Sequence, residues 1–128
     1  MSWEPRDRVL EILYEADRRP NSNPDTEELA PRTARLVSGV LASQEELDSL
    51  ITEISDGWRV ERMPAVDRAV LRLGAYELIH EPETPIGAVI DEAVRLAKKY
   101  STGDSGAFVN GVLSALAQRH RGQDSEEE

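Results

Sequence analysis

An all-α bundle is the fold class that this chain of 128 residues predicts, on three observations. Apolar residues recur at intervals of three and four along almost the whole sequence, the period of one helix face. No segment alternates apolar and polar residues as a half-buried strand does. The stretches between periodic runs are short and carry Pro, Gly, Asn and Ser, which punctuate helices.

Taken in order, "PRDRVLEILYEADRR" (5–19) places Val9, Leu10, Leu13 and Ala16 on one stripe, with Pro5 suited to a first turn. "RRPNSNPDTEELAP" reads as a surface loop, and "RTARLVSGVLAS" as a second helix. A third, "SQEELDSLITEISDGW", aligns Leu47, Leu50, Ile51, Ile54 and Trp58, and its Ser43 and Glu46 form a capping-box pattern. Pro64 opens a fourth helix, "PAVDRAVLRLGAYELIH". After "EPET", Thr84 is placed to cap and Pro85 to begin a fifth helix, whose Ile86, Val89, Ile90, Ala93, Ala97 and Tyr100 share a face. Gly103 stops it, and Asp104 or Ser105 caps a sixth, with Phe108, Val109, Val112, Leu113 and Leu116 inward. Six to seven helices joined by short loops fit one domain over 1–121. The acidic, apolar-free residues 122–128 read as a disordered tail.

The composition excludes several classes. No window approaches the roughly 18 apolar residues of a membrane span. "MSWEPRDRVL" lacks the zones of a signal peptide, which predicts a cytoplasmic protein. There is no cysteine, hence no disulfide, thiolate ligand or cysteine nucleophile. His80 and His120 are the only histidines, and neither stands at metal-ligand spacing with a second ligand. Asp91 and Glu92 are adjacent, so on a helix they point in different directions and make no catalytic pair. These absences predict a non-enzymatic binding module with no cofactor and no metal.

The net charge of −10 argues against nucleic acid until its distribution is read. Residues 21–56 hold eight acids against two arginines, and the tail "GQDSEEE" holds four acids. Residues 57–121 carry nine basic and eight acidic groups, which leaves room for a local basic face.

The segment "DSGAFVNGVL" (104–113) poses a separate problem. Its apolar spacing is that of a core helix, yet it carries Asn110 and Gly111 in its middle. A helical Gly costs roughly 1 kcal/mol relative to Ala. The packing reading has Gly111 permit a close helix approach and Asn110 bond backbone at a junction.

Four stretches together resemble the NusB family of bacterial transcription antitermination factors: "RDRVLEILYEAD" (6–17), "RMPAVDRAVLRLGAYEL" (62–78), "PIGAVIDEAVRLAKKYS" (85–101) and "DSGAFVNGVL". Their order and spacing carry the resemblance across nearly the whole chain. It implies an all-helical fold in two packed halves. It further implies binding, jointly with the ribosomal protein NusE, to single-stranded boxA-type RNA of nascent ribosomal RNA transcripts, within an antitermination complex on RNA polymerase.

Carried over residue by residue, the resemblance puts Asp104 and Ser105 against RNA and offers the Phe108 ring to a base, alongside Arg6 and Arg8 from the N-terminal arm. Tyr14 and Asp67 match positions that meet NusE. Two positions depart from the family pattern: the arm is "MSWEP" rather than arginine-rich, and Ala107 stands where a lysine is usual. Each loss removes a phosphate contact, so RNA binding is expected to lean on the partner. The alternative is a protein-only scaffold of the same fold. The resemblance also leaves room for a homodimer that hides the RNA face.

Overall fold

Six helices form in the order the apolar spacing predicts, in a computed structural model that describes residues 5–19, 24, 26–27 and 29–126, the side chains of Pro5 and 122–126 excepted. They are α1 (Pro5–Arg18), α2 (Pro31–Ala42), α3 (Gln44–Ile54), α4 (Ala65–His80), α5 (Ile86–Tyr100) and α6 (Ser105–Glu126), with a 3-10 turn at Val60–Arg62. No strand occurs among the described residues. The helices fall into two halves, α1–α3 and α4–α6, and α4 packs against α1, α2, α3, α5 and α6. Its burial on nearly all sides, from Ala69 through Ala75, follows from that central place.

Close approach is licensed at two glycines. A methyl at Gly39 would overlap the Tyr76 ring, and one at Gly74 would meet Leu113 Cδ1 at 2.6 Å. Gly111 is not among them. Nothing lies within 4 Å of a methyl there, and Asn110 is exposed, its amide oxygen accepting from Ser114 Oγ at 3.2 Å. The packing reading of Asn110 and Gly111 is therefore corrected: both lie on the solvent side of α6.

Other local expectations shift for identifiable reasons. Ser43 makes no side-chain cap. Its backbone N–H closes α2, so α3 follows after a single residue. Glu46 faces His80 at 3.1 Å instead. Thr84 likewise makes no cap on α5. Its carbonyl accepts from Arg121 at 2.6 Å. Tyr100 leaves the apolar face of α5, 45% exposed, to donate its hydroxyl to Asp7 at 2.8 Å. Trp58 leaves the face of α3, because Asp56 (φ 59°) and Gly57 (φ 84°) turn the chain left-handed after Ile54. Finally, α6 continues to Glu126, through residues read as disordered tail from 122.

Wholly or partly buried arginines brace the bundle, and three of them cross between its halves. Arg6 on α1 donates from Nε and Nη2 to Glu77 on α4 at 2.9 and 2.7 Å. Arg72 on α4 grips Asp48 on α3 at 2.8 and 2.9 Å. Arg68 donates twice to Asp17 on α1, at 2.9 and 2.7 Å. Arg121 spreads its guanidinium over the carbonyls of Glu77, Leu78, Glu81 and Thr84 at 2.6–3.0 Å. A fixed cation there adds bonds to the carbonyls at the C-terminal end of α4 and complements its dipole.

Asp7, 8% exposed, accepts from Arg95, Tyr100 and Lys99 at 2.6, 2.8 and 3.2 Å. Burial pushes its carboxyl upward, but these hydrogen bonds and the Arg95 charge prevail and hold it down at about 2, from an ordinary 3.8. A depressed folded value means stability present above about pH 4 and lost as the pH falls toward 2. Asp7→Asn should cost about 2 kcal/mol at neutral pH, the size of that shift converted at 1.36 kcal/mol per unit. The gap between wild type and variant should close in urea melts repeated down to pH 2. A gap independent of pH would contradict the assignment.

Candidate functional site

The turn between α5 and α6 is built from beneath by a buried carboxylate. Gly103 (φ 52°) reverses the chain after Tyr100. Ser101 Oγ and Ser105 Oγ then donate to Asp67 Oδ1 and Oδ2 on α4, at 2.7 and 2.9 Å, and the two hydroxyls lie 2.9 Å apart. One carboxylate thus fixes both ends of the turn. A half-satisfied buried acid is costly, so the two hydroxyls and the acid hold one another in a single arrangement.

Asp67 is 4% exposed, which corrects its expected place on a partner surface: it is turned inward because the serines claim both oxygens. Ser105 is 9% exposed with its hydroxyl committed to Asp67. The outward members of the turn are Asp104 and Phe108. Asp104 is exposed, and its side chain bonds no described residue. Its carbonyl accepts the Phe108 N–H at 3.0 Å and so starts the helix. Phe108 is half-buried against the core, with its ring centroid 5.3 Å from that of Trp58 and the planes tilted by 56°.

The two arm arginines separate. Arg6 is drawn into the bundle, 13% exposed, by Glu77, which removes its guanidinium from the surface role expected of it. Arg8 stays outside, 40% exposed, pairing with Glu11 at 2.7 Å. An exposed pair of this kind is weak and yields readily to a phosphate. Residues 1–4 of the arm lie outside the described residues.

Tyr14 stands at a different place. With Asp7, Leu10, Glu11, Val66 and Tyr100 it lines an open cleft of about 440 Å3 between α1, α4 and α5. Its hydroxyl accepts from Arg18 at 3.3 Å, and that guanidinium sits 5.6 Å above its ring. Apolar walls with the exposed Glu11 at the rim suit an apolar anchor carried on a basic protein.

No group of three His, Asp or Glu residues is placed to hold a metal among the described residues. No described helix is long and apolar enough to cross a membrane. Sequence reasoning missed two residues that meet this turn: Trp58, whose ring lies against Phe108 and was hidden by its helical spacing, and Ser101. The Asp56-Gly57 pair was the available signal for Trp58, since Asp and Gly favour left-handed turns.

The sequence profile of the NusB family matches residues 4–118. The chain is 46% identical over 123 residues to a transcription antitermination protein NusB of Saccharopolyspora erythraea, covering 88% of this chain and 83% of that protein. Among solved structures it is similar to T. maritima NusB, with a TM-score of 0.84, 31% identity and full coverage of both chains. A chain in the crystal structure of antitermination factors NusB and NusE in complex with dsRNA gives a TM-score of 0.78 at 31% identity, over 90% of this chain and 94% of that one.

Proposed function

The chain belongs to the NusB family of transcription antitermination proteins, and from that premise we propose that it binds boxA-type single-stranded RNA jointly with NusE. It acts in the cytoplasm as a non-enzymatic member of the antitermination complex on RNA polymerase. The observation that supports the reading most is the α5–α6 turn, where a buried Asp67 holds rigid a surface that presents Asp104 and Phe108. Rigid presentation matters because an ordered site loses little entropy on binding. Phe108 offers a stacking face, which suits unpaired bases. Asp104 accepts hydrogen bonds from base edges or ribose hydroxyls. Arg8 adds one phosphate contact.

NusE docks on the Tyr14 cleft. An acidic chain steers a basic ribosomal protein toward it, and the partner then supplies the positive potential that this chain lacks. Asp67 contributes from below by holding the turn, and Ser105 with it.

Tyr14→Asp is the test of joint binding. It places a charge in the cleft, and should weaken the NusE complex roughly ten-fold or more while the thermal midpoint stays nearly unchanged. The boxA affinity of an equimolar mixture should fall in step with the NusE affinity. Calorimetric titration reads the first and fluorescence anisotropy the second. Full NusE binding by Tyr14→Asp would move the partner surface elsewhere. Equal loss of folding and binding would make Tyr14 a structural residue.

A further inference from the structure

Trp58 is the one large apolar side chain whose exposure the fold does not explain. Among the described residues only Trp58 (49%) and Tyr100 (45%) are large, apolar and exposed, and Tyr100 is bonded to Asp7. The Trp58 indole N–H has no hydrogen-bond partner among the described residues.

Its backbone, by contrast, is firmly held. The Gly57 N–H bonds Thr52 O at 2.9 Å and the Trp58 N–H bonds Ser55 O at 3.2 Å. Val60 and Met63 are buried just beyond, at 1% and 3%. The backbone that carries the indole is thus anchored at both sides, and the ring leans at 56° on Phe108, so it contacts the candidate RNA site directly. Within its segment Asp56 and Glu61 are matched by Arg59 and Arg62. Arg62, four residues on, is exposed and makes no ion pair with a described residue. Arg59 has only a surface partner, Glu61, at 2.9 Å. A pre-held aromatic face, a free N–H donor and unpaired guanidinium charge are what single-stranded nucleic acid recognises.

We propose that Trp58 is a second stacking wall of the RNA site, on which the base neighbouring the one at Phe108 packs, with Arg62 on the adjoining phosphate. The inference rests on the reading that the α5–α6 turn binds RNA jointly with NusE. It extends the site from α6 to the segment between α3 and α4.

The test uses the full chain with NusE and a boxA-type RNA oligonucleotide. The chain has two tryptophans, so a Trp3→Phe background leaves Trp58 as the reporter. RNA should quench and shift its fluorescence. Trp58→Ala should weaken RNA binding by the pair about five-fold or more, by the loss of one stacked base. Trp58→Phe should restore most of it, and NusE affinity and the thermal midpoint should hold in both. Phe108→Leu is run beside them. If Phe108→Leu weakens binding while Trp58→Ala and the fluorescence do not respond, the Trp58 inference is overturned and the RNA site stands. If Trp58→Ala weakens NusE binding instead, the indole is a protein contact and the inference falls. No RNA binding by the wild-type pair overturns both.

Discussion

Glu77→Ala should destabilise the chain by about 3–5 kcal/mol, the usual result of removing one partner from a buried ion pair. Glu77 has a side-chain exposure of 2% and Arg6 13%, and two hydrogen bonds of 2.9 and 2.7 Å join them in a fork. Arg32 adds a second guanidinium at 3.8 Å. Alanine would remove the forked acceptor from an Arg6 charge held inside the α1–α4 contact, where water cannot fully reach it. The thermal midpoint should drop by about 10 °C or more for a domain of this size. Arg6→Met with Glu77→Met should recover much of the loss, since an apolar pair carries no unmatched charge. A single-variant loss under about 1 kcal/mol would show that water reaches the pair.

The second large effect concerns RNA. Phe108→Ala should cut the boxA affinity of the NusE-bound chain roughly ten-fold or more, within the 1–3 kcal/mol that stacking one base contributes. Because Phe108 also packs on the core, alanine removes packing as well. Phe108→Leu separates the two roles: it keeps apolar volume and discards the aromatic face. The leucine variant should melt near wild type and still bind RNA poorly. Normal RNA binding by Phe108→Leu would return Phe108 to the core.

The apolar frame was legible along the chain because helical spacing is local. Val109, Val112, Leu113 and Leu116 are all buried on α6, as their three-four repeat predicts. The Gly103 stop is realised as a left-handed residue. The polar frame was not legible, because its partners are far apart in sequence. Asp67 meets Ser101 and Ser105 across 34 and 38 residues, and Arg6 meets Glu77 across 71. A pairing over such a distance is decided by how helices cross, and spacing within one helix carries no information about it. Arg121 shows the same limit: it stands beside a charged tail in the sequence, yet it caps α4.

Trp58 failed for a different reason. Its position four residues after Ile54 fits the face of α3, but the Asp56-Gly57 turn outweighs the spacing and delivers the ring to the surface. In the "NGVL" stretch the cost of Gly111 is likewise offset by no packing, since the residue faces open space.

Partner dependence is the central claim, and it follows from where the cations go. Arg6, Arg68, Arg72 and Arg95 face acids, and Arg121 faces carbonyls. Little positive charge is left for phosphates on a chain of net charge −10. Each phosphate contact adds about one unit to the slope of log affinity against log salt. The direct measurement is a titration of boxA-type RNA with the chain alone, with NusE alone and with the pair, at two stated salt concentrations. The account predicts weak binding with a shallow salt slope for the lone chain, and tight binding with a steeper slope for the pair. Binding by the lone chain as tight as by the pair would contradict it.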